Sequence, residues 1–409
     1  MPAGCPLQLI GAGPAGMSLL LALCNRVAAS PANAASEREL LDSLQVYEAA
    51  PRPGGKMAAY RVNANTSSHD VIQGIADGTP FAAVRDAYVS HPLTQNELIP
   101  LGEIGRLMVE PLAQAMIDFL GPRLHCGVEV ARIEIDGQGF ASFDPDGKLL
   151  QRSDALVLCC GARELPLPEL TEFQDRWQGS GSFLLRDDLG GLEDNGAPIV
   201  IIGASHSAFS CAWRLLYDPL FSDFARGRDI IVLKRRERIK LRCTPEFAAA
   251  HGIEYDPQKD VCPVSGLVFR NAGLRKDAKQ LYLDIRDGRE KRVRIVQMDA
   301  LAEQRELLER AALILQATGF ASNLPRIERD GRSVEIGNPG QDGELHDLEA
   351  DEIVPGLYGM GLGFNIVPED ALGEASFRGG LHGFQSYPLA IAPRIIESLK
   401  ARIAAEKMP

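Results

Sequence analysis

The sequence predicts an α/β protein made of two parallel-sheet units of one strand–turn–helix design, the second inserted into the first. Three observations carry this. An apolar run over residues 7–10 meets a turn with Gly11, Gly13 and Gly16 at G-x-G-x-x-G spacing, and an apolar helix starts near Pro14. The pattern returns as a strand over 197–202, the turn Gly203-Ala204-Ser205-His206-Ser207-Ala208, and a helix over 206–217. Apolar runs ending at glycine, 155–161 and 312–319, lie on either side of the second pattern, as if the chain left the first unit and came back to it.

Each glycine of the first turn has a mechanical job. Gly11 allows the tight turn, Gly13 leaves no side chain between backbone and a pyrophosphate, and Gly16 lets the helix pack close on the sheet. Pro14 and Ala15 then open a helix whose N-terminus faces a phosphate. With 40 glycines in 409 residues such a triplet arises by chance, so the context decides. A second strand, 44–47, ends in Glu48, where a carboxylate bonds the ribose hydroxyls of a dinucleotide. The 37-residue gap from Gly11 to Glu48 exceeds the usual ~20, an excess assigned to the polar, alanine-rich stretch 26–43. The plain alternative is a solvated carboxylate at a strand end. The reading is of two Rossmann-like, three-layer dinucleotide-binding domains, one over 1–165 and 312–409 and the other, over 166–311, inserted between its two parts.

In the second unit the strand 229–233 ends in Lys234-Arg235-Arg236, where the first ends in Glu48. Cations there pair with a ribose 2′-phosphate that a carboxylate would repel, so NADPH is expected over NADH; a basic solvated strand end is the alternative. Gly203, Ser205, His206 and Ser207 are expected around the second pyrophosphate, mainly through backbone, with His206 either touching it or capping the helix. The loop holding Gly55, Lys56 and Met57 brings backbone close to a flat ligand. Segment 70–100 covers a site, and 103–120 reads as a helix. A strand over 128–133, including Val130, leads through hairpins at 136–137 and 144–147 to the strand 155–160. Residues 161–196 read as a connector, 280–286 and 291–297 as a hairpin turning at 287–289, and 299–311 as a helix. Val130, Gly161, Thr318, Gly319, Gly361 and Gly363 complete the expected cofactor contacts. The closing helix, 379–396, points its N-terminus where a reduced flavin carries negative charge.

This length implies two or three domains. A hydrophobic content of 45% with 24% charged residues is that of a globular protein, and a net charge of −12 argues against nucleic acid or an anionic membrane as partner. A core strand starting near Leu7 leaves no length for a secretory leader, and no apolar run approaches the ~20 residues of a membrane span. A cytoplasmic protein is expected. Eight cysteines include no C-x-x-C pair, and the adjacent Cys159 and Cys160 read as small buried residues rather than a vicinal redox pair. No spacing suggests a metal site.

The order of pieces, from residue 7 to about 398, resembles the flavoproteins with two dinucleotide-binding domains, in which an FAD domain is interrupted by an NAD(P)H domain. It is most similar to the flavin-containing and N-hydroxylating monooxygenases. Asn65-Thr66-Ser67-Ser68 is similar to their Asn-Thr-Ser-Lys stretch, Ser207-Ala208 to the end of their second glycine motif, and His382-Gly383 to the closing helix of the N-hydroxylating branch. Their F-x-G-x-x-x-H fingerprint is echoed by 177–183, with Phe183 in place of the histidine. The resemblance implies FAD and NADPH as cofactors, O2 as co-substrate, and oxidation or hydroxylation of a small organic molecule, nitrogen-containing ones included. It makes Asn65 the candidate catalytic residue, hydrogen-bonding near the flavin; a turn residue is the plain alternative. Two other functions use the same nucleotide sites: an NADPH-dependent flavin reductase without a redox dithiol, and a binding protein that has lost turnover.

Overall fold

The computed structural model describes residues 5–29, 34–192, 195–235, 237–263, 265–270, 273–337, 343–364, 366–367, 376–377 and 381–406. Arg236 and the side chain of His382 lie outside the described residues.

Strands β1 (Cys5–Ile10), β2 (Gln45–Glu48), β3 (Leu124–Cys126), β4 (Arg132–Asp136), β5 (Gly139–Phe143) and β6 (Leu149–Leu158) begin a ten-stranded sheet. Its centre is parallel, in the order β6-β1-β2-β3, while β4, β5 and the first half of β6 form an antiparallel meander. β1 is buried at five of six positions, as a strand covered on both faces requires. The helix Pro14–Ala29 buries Leu19, Leu20 and Leu23 and packs against the closing helix Leu381–Glu406. Val130 lies just ahead of β4 rather than inside a strand, since pairing with β5 starts at Arg132.

A short ribbon carries the chain out and back: β7 (Ala162–Arg163) pairs antiparallel with a strand met much later. Between them β8 (Trp177–Gly179), β9 (Ile199–Ile202), β10 (Ile230–Lys234), β11 (Val293–Gln297) and β12 (Leu313–Gln316) form an all-parallel sheet ordered β11-β10-β9-β12-β8. The partner of β7 is β13 (Ala321–Ser322). β14 (Arg326–Arg329), β15 (Arg332–Ser333), β16 (Glu344–Asp347) and β17 (Glu352–Gly359) then rejoin the first sheet, β17 lying parallel to β6.

Three expectations are corrected. Residues 280–286 are not half of a hairpin but part of the helix Lys276–Arg286. Leu281, Leu283 and Ile285 alternate like a strand, yet Ala278, Leu281, Tyr282 and Ile285 recur at helical spacing and all meet the second core. The parallel pairing of β10 with β11 requires such a crossover helix between them. Secondly, the run 312–319 does not return to the first unit: β12 pairs with β9 and β8, and the return comes at β13. Its likeness to 155–161 reflects an equivalent place in a repeated design. Thirdly, 103–120 is interrupted by a π-turn over Gly105–Val109, where Gly105 seats against the Met57 and Ala58 backbone with no room for a Cβ.

Candidate functional site: two glycine turns and the cleft between the units

The two turns superimpose bond for bond. Gly11 N donates to Tyr47 O and Gly203 N to Leu233 O, both at 2.8 Å; Cys159 N donates to Ile10 O and Ala317 N to Ile202 O, both at 2.7 Å. Gly11 has φ +98° and Gly203 φ +112°, and a Cβ on either would collide with the carbonyl oxygen of Cys159 or Ala317 respectively. Glycine is required at both by the neighbouring parallel strand. At Gly16 a Cβ would overlap the Gly11 carbonyl, whereas the second unit admits Ala208 at the same step, fully buried.

A nucleotide cradle is left open at Gly13, where an added Cβ would meet nothing within 4 Å. Glu48 stands beside it, its Oε2 accepting from Ala12 N at 2.7 Å and its Oε1 from Ala50 N at 2.8 Å, so the carboxylate fixes the turn and keeps lone pairs for hydroxyl donors. Gly54 N donates to Ala12 O at 2.9 Å, and a Cβ on Gly55 would approach Pro14 Cδ at 3.2 Å, bringing the loop with exposed Lys56 and buried Met57 against the Pro14–Ala15 helix start. Gly161 and Gly361 have positive φ just past the ends of the paired strands β6 and β17, and a Cβ on Gly363 would sit 2.6 Å from the Gly161 carbonyl oxygen. Val130 is buried with Ile10, Tyr47 and Leu158, a packing role. These residues fit a bound dinucleotide, and the open Gly13 cradle is the observation that says so.

The second turn is equally prepared. Ser205, at the position of Gly13, spends its hydroxyl on Ala317 O (3.3 Å) and caps nothing, leaving the first amides of the helix His206–Tyr217 available beside Ser207. Thr318 accepts from Gln316 Nε2 at 2.8 Å and, with Gly319 at φ +112°, closes the turn from the β12 side. Past β10, the Lys234 ammonium donates to Gln297 Oε1 and Glu237 O, both at 2.6 Å, and Arg235 is the exposed cation at the strand end. Phe183, at the place of the fingerprint histidine, is fully buried core.

Between the units the structure brings Asn65 and His206 to one cleft, lined also by Ser210, Trp213, Lys276 and Asp277. Asn63 Nδ2 donates to Asp277 Oδ2 at 2.7 Å and Lys276 pairs with Glu97, so polar contacts clamp the cleft shut from both sides. Lys234 and Arg235 are not at this cleft. The clamp residues Lys276 and Asp277 escaped the sequence reading because it began the element at residue 280, as a strand, and so missed the first turn of the helix; the acid at helix position two was the available signal.

Burial, then the charge of Arg275, depresses His206 to about 4, so it is neutral at pH 7. Because the unfolded value is higher, near 6.5, the unfolded chain takes the proton first. The stability His206 allows is complete above that value and is lost as pH falls toward 4, by up to about 3 kcal/mol. Urea unfolding of His206→Asn is expected to show a flatter decline between these limits than the wild type; parallel curves would refute the assignment.

Burial raises both adjacent thiols, Cys159 well above the ordinary range and Cys160 to about 12, with Cys160 and Glu48 respectively adding to it. Neither forms a disulfide, and Cys160 Sγ lies 3.8 Å from Ile10 O. A thiol kept protonated is a poor nucleophile. Anaerobic titration should therefore reach full bleaching at about one equivalent of NADPH per flavin; uptake of a second equivalent would reveal a working dithiol.

No family model and no curated protein sequence matches the chain. Solved structures do match, over nearly full length. They define a fold class first: two dinucleotide-binding domains of Rossmann type. The particular neighbours include the ornithine hydroxylase of Pseudomonas aeruginosa, 16% identical over 97% of this chain and 100% of that one, with a TM-score of 0.59. The FAD-bound cadaverine monooxygenase of desferrioxamine biosynthesis from Erwinia amylovora is 16% identical over 96% and 94%, also at 0.59. The bacillithiol disulfide reductase of Staphylococcus aureus matches at 11% identity over 99% of both chains, at 0.51. No described helix is long and apolar enough to cross a membrane.

Proposed function

We propose that the chain is an FAD- and NADPH-dependent monooxygenase that oxidises a small organic molecule, with Asn65 and His206 at the cleft between the two units. The observation that carries the reading is the pair of equivalent turns, one followed by Glu48 and the other by Arg235, with a cleft between the units. When bound, FAD supplies hydride acceptance from NADPH and reaction with O2. The chain's own residues do the rest. The Gly13 backbone and the helix at Pro14 receive one pyrophosphate, Glu48 the ribose hydroxyls, and the helix at His206 the second pyrophosphate. Asn65 offers an amide to the cleft, and neutral His206 adds no charge there. Asn63–Asp277 and Lys276–Glu97 hold the units together and limit water entry.

Ornithine and cadaverine, named for the neighbouring enzymes, are primary amines, so an amine nitrogen is the first substrate class to test. The experiment is anaerobic reduction by NADPH, then mixing with O2 and each amine, with hydroxylamine and hydrogen peroxide quantified. Reduction with coupled product supports the reading. Fast turnover with a quinone but no oxygenated product would favour the reductase, and a flavin that NADPH fails to reduce would indicate a binding protein. Asn65→Ala is expected to shift output from product to hydrogen peroxide at similar NADPH consumption; unchanged coupling would leave Asn65 a turn residue.

A further inference from the structure

On the second unit, beside the cleft, the backbone is stitched into a surface rich in cations. Leu274 N donates to Lys240 O (2.8 Å), Arg242 N to Leu274 O (3.0 Å), and Cys243 and Val268 exchange both backbone bonds (3.3 and 2.9 Å). A Cβ on Gly273 would collide with the backbone of Leu241 and Arg242, so this approach requires glycine. The stitching gathers Arg242, Arg270 and Arg275. Arg275 Nη2 donates to Arg270 O at 2.9 Å, and Arg270 Nη1 lies 3.3 Å from Cys262 Sγ. Each is partly buried, and among the described residues none is in ion-pair contact with a carboxylate. Buried Arg214, by contrast, bonds Asp218 at 2.8 Å.

The arrangement is unfavourable as it stands. Burial first, then Arg242 and Arg270, bring Arg275 down to about 10, and burial and Arg270 lower Arg242 against the pull of Asp70. Phe269 and Lys276, neighbours of two of these arginines, hold φ of +47° and +45°, a conformation side chains rarely adopt. The charge of Arg275 reaches His206, and Lys276 lines the cleft itself.

We propose that Arg242, Arg270 and Arg275 form an oxyanion site, next to the Asn65–His206 cleft, that holds the carboxylate or phosphate of a ligand. The proposal rests on the monooxygenase reading and narrows its substrate to an acid, unless the anion is a phosphate of NADPH. Guanidinium forks suit both groups and form bonds about twice as strong as neutral ones.

The test uses the FAD-loaded full chain, with glutarate, inorganic phosphate and 2′-phospho-AMP as calorimetric probes. The variants are Arg242→Gln, Arg275→Gln, the double variant, and Arg275→Lys. Binding of at least one probe is expected to weaken about tenfold per guanidinium removed, with partial retention in Arg275→Lys. Removing a cation that, among the described residues, makes no ion-pair contact should also leave Tm equal or higher, whereas a structural arginine would lower it. If glutarate binding is lost while the Kd for NADPH holds, the anion is the substrate's; if 2′-phospho-AMP and NADPH weaken together, it is the nucleotide's. Equal binding by wild type and double variant, or no binding by wild type, overturns the site. A colourless protein that refuses FAD, yet loses glutarate binding in the variants, would sink the flavoprotein reading and leave the oxyanion site standing.

Discussion

Gly13→Val should yield a folded, colourless protein. An added Cβ meets no protein atom within 4 Å, and the position lacks the positive φ that penalises substitution, so the fold is expected to accept it. What it fills is the space where backbone would touch the pyrophosphate. We expect FAD affinity to fall by about a thousandfold, roughly 4 kcal/mol, with the circular dichroism spectrum and Tm of the apoprotein within a few degrees of wild-type apoprotein. Gly11→Ala is the contrast. Its methyl would collide with the Cys159 carbonyl, so it should lose fold and flavin together. A Gly13→Val protein purified yellow at full occupancy would mean the flavin lies elsewhere.

Arg235→Glu should reverse the coenzyme preference. Lys234 is already committed to Gln297 and Glu237, whereas Arg235 is exposed at the end of β10. A glutamate there replaces attraction for a 2′-phosphate with repulsion. The Kd for NADPH is expected to rise about 100-fold, near 2.8 kcal/mol, while NADH changes by less than about threefold, since its 2′-hydroxyl can bond a carboxylate. Equal losses for both coenzymes, measured by anaerobic stopped-flow reduction, would place the 2′-phosphate away from Arg235.

The two turns were legible because their requirements are local: a strand, a glycine forced by the adjacent carbonyl, and a helix all lie within a short stretch of chain. Glu48 was legible for the same reason despite the long stretch before it, whose second half folds as the helix Ala34–Ser43 and leaves β2 in register with β1. The helix Lys276–Arg286 was misread because Leu281 and Ile285 belong both to the alternation with Leu283 and to the helical set with Ala278 and Tyr282, and only the position of β11 decides between them. The place of β12 was hidden because the run before Gly161 and the run before Gly319 obey one rule in two different sheets. Arg242, Arg270 and Arg275 carry no pattern at all. They are scattered in the chain and meet only where Gly273 lets two distant backbone segments touch.

The two-residue ribbon of Ala162–Arg163 against Ala321–Ser322 means that the inserted unit begins and ends at neighbouring points. A module with adjoining ends is a cassette: it can be excised and the gap closed by a tight turn, or exchanged for another of different coenzyme preference, without rethreading the surrounding sheet. Evolution and the protein engineer are thereby offered the same single cut site.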